Sequence, residues 1–308
     1  KMDLFDLHCD TIVLWKEKNL GFDSEETHFS LREREKLGRM CQTMAVFVPD
    51  SIRGEAAREY VDVHAAYLKA VVERQKELAE MARTAEDIER ITGEGRCACM
   101  LAIESGAALA GKLENVEHFA ELGVKMLTLV WNGENELGSG HSTENGLTEF
   151  GKQAVKKMEQ SGIIVDVSHL NDRGFADLCE IAEKPFIATH SNLRSVCSHK
   201  RNLTEQQFQE IVRRKGLVGI NLYTSFLDEE GRGDVESIYR HVYRMLELGG
   251  EDIIACGSDF DGADINESLT SPVKFARTAE YLMSRGIPER AVKKMYFENA
   301  LRFFHEQA

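Results

Sequence analysis

The chain has 308 residues, 43% of them hydrophobic and 29% charged, and a formal net charge of −14 at pH 7. This composition is typical of a folded globule and excludes a disordered chain. The excess of acid repels nucleic-acid phosphates and anionic lipid, and no apolar run approaches the roughly 20 residues of a membrane span, so we expect neither nucleic acid nor a membrane as a partner.

The length, the cysteines and the first residues favour one cytoplasmic domain. A single α/β barrel with modest insertions reaches this length, so we predict one domain over residues 1–308. The seven cysteines lie mostly inside apolar runs, which favours buried thiols over disulfides. Because a strand-like run follows the first residues at once, we expect no signal peptide and a cytoplasmic location.

Eight apolar runs alternate with helical patterns along the chain, which is the signature of βα units. Since the runs are almost continuously apolar, they are typical of parallel strands whose outer face is covered by helices. In chain order the predicted strands are 4–10, 41–48, 97–104, 125–131, 162–169, 185–190, 217–223 and 252–259.

The segments between these runs read as helices. Five large apolar residues fall at helical spacing and predict one buried stripe on a long helix. They are Tyr60, Val63, Tyr67, Val71 and Leu78. Residues 171–184 have the length of a single crossover helix between two parallel strands.

Polar residues at the strand ends decide between two arrangements of eight strands. An open, doubly wound sheet gathers its site at one switch point between two strands. Here polar residues end the first, third, fifth, sixth and eighth predicted strands. Only a closed ring brings five such ends together, so we predict an α/β fold of the (β/α)8 TIM-barrel type.

The polar strand ends carry imidazoles and carboxylates, the donors that bind zinc and that also suit manganese and cobalt. They are His8 and Asp10, Glu104, His169, His190, and Asp259. A period of two places His8 and Asp10 on the same side of their strand. Glu104 ends a strand that is otherwise uncharged, and a bridging position between two cations would remove the cost of burying its charge.

This donor set predicts a metal-dependent hydrolase. Two ions close together would acidify a shared water to a hydroxide nucleophile and polarise the carbonyl that it attacks. Asp259 could then take a proton from the water and pass it to the leaving amine. A single histidine or acid at a strand end is more often a packing residue or a helix cap, but five coincident ends favour a metal site.

An ordered set of motifs covers nearly the whole chain. It begins with DLHCDT, continues through AIESG, LTLVWN, GLTEFGKQAVKKMEQSGIIVDVSH, PFIATHSNLRSVCSHKRNL and VGINLY, and ends with GSDFDG and ENALRFF. The set resembles the membrane (renal) dipeptidases, peptidase family M19, and in particular their soluble bacterial branch. The resemblance implies a metallo-dependent hydrolase that cleaves small dipeptides, L-D as well as L-L, and that forms a homodimer.

The resemblance also implies two Zn²⁺ per chain, with other divalent ions able to substitute. Carried over by position, it implies that His8, Asp10 and Glu104 hold one ion. His169 and His190 would hold the second ion together with the same Glu104.

Four further positions take their roles from the resemblance or from their place in the chain. Asp259 falls on the acid/base of the family's D-F-D-G motif. Arg201, in HKRNL, falls on the arginine that binds the substrate carboxylate, to which its planar fork is matched. Asn221 and Tyr223 end the seventh predicted strand and are candidates for lining the substrate pocket, while packing at the core or rim is an equally good interpretation.

One position departs from the family pattern. Where mammalian members have a histidine, this chain has Trp131, whose indole donates one hydrogen bond and neither accepts a proton nor carries charge. We hypothesise that His141, in the following Gly-rich loop, substitutes for that histidine. The remaining histidines fall in predicted loops or helices, where we expect solvated side chains. They are His28, His64, His118, His199, His241 and His305.

Two other functions fit parts of the pattern. An amidohydrolase-type deacylase or deaminase also uses a metallo-barrel, but such enzymes open with His-x-His and often bridge their ions with a carboxylated lysine. A non-enzymatic metal-binding relative would keep the fold, but degenerate relatives usually lose a ligand, and every expected ligand is present here. Neither alternative accounts for the residues as well as a dipeptidase.

Overall fold

A computed structural model describes residues 1–307, and short parallel strands form its centre. The strands are β1 (Leu4–Asp6), β2 (Met40–Phe47), β3 (Ala79–Met81), β4 (Cys97–Glu104), β5 (Val124–Thr128), β6 (Ile164–Asp166), β7 (Val218–Ile220) and β8 (Ile254–Cys256). Seven of them pair in the order β6-β5-β4-β2-β1-β8-β7. The first strand of the chain therefore lies between the second and the last.

The sixth predicted strand, 185–190, is not a regular strand, but it closes the ring. Ile187 pairs with Asp166 of β6, and the next residue, Ala188, pairs with Val218 of β7, both in parallel. The Ala188 amide donates to Leu217 O at 2.8 Å and the Ile187 amide to Val165 O at 3.0 Å. Single-residue pairing on each side completes an eight-membered barrel, and the predicted (β/α)8 fold is confirmed.

One strand was not expected from the sequence. The short β3 pairs with the first residues of β4, from Cys97 to Cys99, whereas β5 pairs with β4 from Leu101 onward. It therefore lies beside the start of β4 and outside the ring. The segment AEM has only three residues, one of which is charged, so it is too short for a strand pattern to be recognised.

Twelve α-helices surround the strands of the described chain. They are α1 (Thr11–Lys18), α2 (Glu55–Arg74), α3 (Ala85–Gly93), α4 (Glu114–Leu122), α5 (Glu149–Ser161), α6 (Asp172–Ile181), α7 (Glu205–Arg213), α8 (Thr224–Leu227), α9 (Val235–Glu247), α10 (Pro272–Ser284), α11 (Glu289–Lys293) and α12 (Asn299–Glu306). The crossover helix expected within 171–184 is α6. No helix among residues 1–307 combines the length and the apolar character that crossing a bilayer requires.

The buried face of α2 differs from the predicted stripe. Val63 is 40% exposed, and Leu78 lies beyond the end of the helix at Arg74. Val71 is buried as predicted, and Tyr60 and Tyr67 are partly buried against the core. The other buried residues of the helix are Ala57, Val61, His64, Ala65, Leu68 and Val72. The prediction counted only large apolar residues, while the helix packs closely through its alanines.

The strands are buried on both faces, which explains their continuous apolarity. Alternate residues divide between two apolar clusters. Leu4, Met40 and Leu101 belong to the larger cluster. Phe5, Cys41 and Met100 belong to a smaller one, which also contains Phe303 of α12. The seven cysteines are all free thiols, as predicted, and six of them are buried.

Candidate metal centre

The ligand-type residues predicted from five strand ends meet around one carboxylate oxygen. Oε2 of Glu104 lies 3.1 Å from Nε2 of His169 and 3.1 Å from Nε2 of His190. The same oxygen lies 3.5 Å from Nε2 of His8. Glu104 is the last residue of β4, His8 and His169 follow β1 and β6, and His190 follows the bridge residues Ile187 and Ala188. The carboxyl ends of the strands therefore bring them together as a barrel requires.

Two further carboxylates approach His8 from the other side of the group. Nε2 of His8 lies 3.3 Å from Oδ2 of Asp10 and 3.7 Å from Oδ1 of Asp259. The imidazole of His8 also stacks on that of His190, with ring centroids 3.7 Å apart. All of these side chains are at least nine-tenths buried.

The donor set fits divalent metal ions. Two groups of three donor atoms each lie within 4.8 Å of one another: His8, Glu104 and His190, and His8, Asp10 and Asp259. Oδ1 of Asp10 is buried without a hydrogen-bond partner. A buried carboxylate oxygen with no donor is costly unless a cation satisfies it. Asp259 is therefore a possible metal donor in addition to the five ligands that the resemblance implies.

The charges at the centre are those of a site that attracts cations. Burial acts to raise the pKa of Glu104, but His8 and the hydrogen bonds from neighbouring imidazoles outweigh burial and hold this pKa well below its usual range. Burial, followed by the charge of His8, keeps the pKa of His190 well below its ordinary value. Burial and then Arg201 lower the pKa of His169 to about 4. A charged glutamate and neutral imidazoles are the forms that ligate metals. His8 differs: burial acts to lower its pKa, but the charges of Glu104 and Asp10 outweigh burial and hold this pKa well above its ordinary value, so His8 would release a proton on binding an ion.

The backbone is strained where these side chains leave the strands. His169 and Asp259 have φ values of 73° and 65°, and Ser105, directly after Glu104, has a φ of 109°. A positive φ is uncommon outside glycine and costs of order 1–3 kcal/mol at each residue. Such conformations persist where the surroundings fix them, and here they cluster at the proposed ligands.

His190 is oriented by a chain of hydrogen bonds that the sequence did not reveal. The Thr189 hydroxyl lies 2.6 Å from Oδ2 of Asp166 and 2.7 Å from Nδ1 of His190. Because the hydroxyl donates to the carboxylate, Nδ1–H of His190 donates to the hydroxyl. Its Nε2 is left as an acceptor that faces Glu104. The only sequence signal for this arrangement was an acid inside the apolar run IIVDVSH.

A second hidden acid supports the turn that carries Asp259. Asp261 accepts from the Thr11 hydroxyl at 2.5 Å and from the His28 amide at 2.8 Å, and so ties this turn to α1 and to the loop after it. Gly262 follows, and a Cβ at this position would lie 1.8 Å from Oδ2 of Asp10. The glycine of the D-F-D-G motif is therefore required by the closeness of the carboxylates.

Arg201 and Asn221 lie behind the donors rather than at the surface of the cavity. The Arg201 guanidinium donates to His190 O at 2.7 Å and to the Ser191 hydroxyl at 2.9 Å. The Asn221 amide donates to the same carbonyl at 3.2 Å and to Oδ2 of Asp259 at 3.4 Å. Neither side chain is among the residues that line the cavity beside the centre.

That cavity has a volume of about 400 Å³ and combines acids with apolar side chains. Tyr223 and Trp131 both line it, and the Trp131 ring is 6.3 Å from the His169 ring. His141 is only partly exposed and does not line the cavity. Burial, followed by the charge of Arg201, lowers the pKa of His141 to about 4, so this imidazole is neutral at pH 7.

Two of the histidines expected to be solvated are buried. His241 is fully buried, and its ring nitrogens bond the Leu193 amide at 3.2 Å and Leu227 O at 2.9 Å. His64 is 5% exposed and bonds the carbonyl of Tyr60, one turn earlier in α2. Both are structural residues, and the prediction was wrong because helix position alone did not show which face is buried.

A closed α/β barrel with imidazoles and carboxylates at the carboxyl ends of its strands defines a metal-dependent hydrolase. The family model for the membrane dipeptidases, peptidase family M19, matches residues 1–308. A Klebsiella pneumoniae protein encoded in the pqqA 5′ region is 32% identical over 249 residues, which are 77% of this chain and 92% of that protein. The chain therefore belongs to the membrane dipeptidase family, and it is an enzyme of the metallo-dipeptidase class.

Solved structures lead to the same class. The dipeptidase AC, a metallopeptidase of family M19, superposes with a TM-score of 0.92 at 27% identity, over 98% of each chain. A metallopeptidase from Rhodobacter sphaeroides, in complex with a phosphinate mimic of the dipeptide L-Ala-D-Ala, also has a TM-score of 0.92. It is 25% identical and covers 100% of this chain and 99% of its own. The predicted family and class of enzyme are confirmed.

Proposed function

We propose that this enzyme hydrolyses the peptide bond of dipeptides with two Zn²⁺ bound among the donors around Glu104. The observation that carries the proposal is that one oxygen of Glu104 lies within 3.5 Å of imidazoles from three separate strand ends. His8, Asp10 and Glu104 would hold one ion, and Glu104, His169 and His190 the other. Bound ions of this kind lower the pKa of water and polarise a carbonyl oxygen.

Asp259 is proposed as the proton carrier. Burial raises the pKa of this carboxyl group, which favours a form that can hold a proton taken from water. Its Oδ2 accepts from the Asn221 amide, which fixes the carboxyl plane and leaves Oδ1 facing His8. From there the proton would pass to the amine that leaves when the peptide bond breaks.

Arg201 is proposed to attract the free carboxylate of the substrate. Its guanidinium has five N–H donors, and only two hydrogen bonds are formed, to His190 O and to Ser191. Its Nε is buried without a partner. Asp259 and Glu104 partly offset the lowering of its pKa by burial. Donors therefore remain for an anion that reaches this side of the centre.

Two finer properties are also proposed. The bound L-Ala-D-Ala mimic in the Rhodobacter relative supports cleavage of L-D as well as L-L dipeptides. His141 is proposed to replace the family histidine at Trp131, and unchanged kcat and KM in His141→Ala would exclude that role. A homodimer and a cytoplasmic location stay predictions, the first open to measurement by light scattering.

The test is a stereochemically complete dipeptide panel assayed on chelator-stripped and zinc-restored protein, with N-acyl amino acids as a comparison. We expect no turnover after stripping, recovery as zinc approaches two ions per chain, and hydrolysis of dipeptides alone. Full activity of the stripped protein would contradict the metal mechanism. Turnover of N-acyl amino acids without dipeptides would indicate a deacylase instead.

A further inference from the structure

One part of the cavity beside the metal centre is apolar. Six side chains form it, and they are called the apolar wall: Val13, Leu14, Phe47, Trp131, Tyr223 and Phe226. All but Phe226 are partly exposed. Apolar surface that lines a concave site and is not covered by the protein itself is typical of ligand-binding pockets.

Helix α1 shows that the apolar wall is not a by-product of core packing. Ile12 and Trp15 of this helix are fully buried in the core. Leu14 leaves the core and lines the cavity, and Val13 lines the cavity while it also packs against the edge of the core. A surface helix normally carries polar residues on the face that leaves the core. The second apolar face of α1 is explained if a ligand covers it.

Aromatic pairs fix the rest of the wall. The rings of Phe47 and Trp131 meet edge to face, with centroids 4.7 Å apart and planes at 71°. Tyr223 and Phe226 form a second such pair, at 4.6 Å and 66°. Edge-to-face contacts of this kind hold rings in place and leave a flat apolar surface. The wall is therefore shaped before a ligand arrives.

The charges in the cavity do not favour a charged side chain on the ligand. No lysine or arginine of the described chain lines it. The lining acids Asp10, Glu104 and Asp259 belong to the donor group, and the fourth, Asp261, is occupied by Thr11 and by backbone amides. Neither a cation nor a free acid is left beside the wall.

We infer that the apolar wall selects dipeptides that carry at least one bulky apolar side chain, which lies against Trp131 and Phe47. This inference rests on the proposed dipeptidase function. Burying such a side chain stabilises the bound state in proportion to the apolar area removed from water. A charged side chain at the same place would lose its hydration without gaining a partner.

The test is kcat/KM of the zinc-loaded enzyme for two series, X-Ala and Ala-X, with X as Ala, Leu, Phe, Glu or Lys. We expect Leu or Phe to exceed Ala by about tenfold or more in at least one series, and Glu and Lys to fall below Ala. Trp131→Ala should remove most of that preference, measured as the ratio of kcat/KM for Leu or Phe to kcat/KM for Ala. Tyr243→Ala is the matched control, because Tyr243 is an exposed aromatic residue of α9, and this variant should keep the preference for Leu or Phe.

The outcomes separate this inference from the proposed function. If Ala-Ala is hydrolysed and kcat/KM for the Glu and Lys dipeptides equals or exceeds that for the Leu and Phe dipeptides, the inferred selectivity is wrong and the proposed dipeptidase function still stands. If no dipeptide is cleaved, binding of dipeptides can still be followed by tryptophan fluorescence. The chain has only two tryptophans and Trp15 is fully buried, so a change in emission on binding reports on Trp131. Leu-Leu should perturb the Trp131 emission at about tenfold lower concentration than Glu-Glu, and equal or weaker binding of Leu-Leu overturns the inference.

Discussion

The donor group around Glu104 and the apolar wall beside it are held by different parts of the fold. The donors sit at the ends of paired strands. Hydrogen bonds behind the site hold His190, through Thr189 and Asp166, and Asp259, through Asn221. The wall is built from α1, from the end of β2, from the loops after β5 and β7, and from α8. Only ring packing and helix position hold its side chains.

This difference separates reaction from selectivity. Changing a donor disturbs a network that includes buried charges, and a vacancy there is costly. Changing a residue of the apolar wall alters the contact area offered to a ligand and leaves the donors in place. Substitutions in the two regions should therefore affect different kinetic parameters.

The largest effect is expected at Asp259. Asp259→Asn keeps the shape, and asparagine tolerates the positive φ of 65° found there. Loss of the proton carrier should lower kcat by about 10²–10⁴-fold with zinc content unchanged. Stopped assays and metal analysis by mass spectrometry check this. A parallel loss of zinc would make Asp259 a ligand, and an unchanged kcat would remove it from the reaction.

A glycine next to the donors gives the second test. In Gly262→Ala the new Cβ must displace the carboxylates of Asp10 and Asp259, which it would approach to 1.8 and 2.6 Å. Misplacement of this order should cost about 10²-fold in kcat/KM. Gly93→Ala, in α3 with nothing within 4 Å of the added carbon, is the control. It should raise the free energy of unfolding by about 0.4–1 kcal/mol and leave kcat/KM unchanged. Full activity of Gly262→Ala would show that the carboxylates can move without cost.

Loss of the hydrogen bonds behind His190 should weaken metal binding more than it disturbs the fold. Thr189→Val removes the hydroxyl between Asp166 and His190, and we expect zinc to bind about 10–100-fold more weakly. A competition titration against a chromogenic chelator measures the change. Thr128→Val is matched to it, because the Thr128 hydroxyl also donates to Asp166, at 2.7 Å, but forms no hydrogen bond with His190. Equal weakening by both variants would argue for a general effect on Asp166.

The smallest change in stability is expected on α1. Leu14→Ala should alter the free energy of unfolding by less than about 1 kcal/mol, since the side chain leaves the core, and should lower kcat/KM for dipeptides with bulky apolar side chains. Ile12→Ala, two residues earlier and fully buried, should lose about 2–5 kcal/mol. Urea unfolding measures both. Similar losses in the two variants would return Leu14 to the core and weaken the case for the wall.

The same contrast explains how far the sequence could lead. Glu104 and His190 were found because their place at strand ends follows from the βα alternation, and the fold then brings them together. Asp166 and Thr189 were missed because their partners lie on other strands, and no local pattern reports strand register. For Leu14, the apolar run TIVLW does not show which residues face the core and which face the cavity.

Closure of the barrel by β1 and β8 has a consequence for biosynthesis. The Ser258 amide donates to Asp6 across a separation of 252 residues. Asp6 lies in β1, two residues before His8. At about 5–20 residues per second, a ribosome needs on the order of 10–50 s to make the intervening chain. Until that interval ends, His8 lacks its neighbour Asp259 and the barrel is open, so hydrolytic competence arrives only when the eighth strand has emerged and docked.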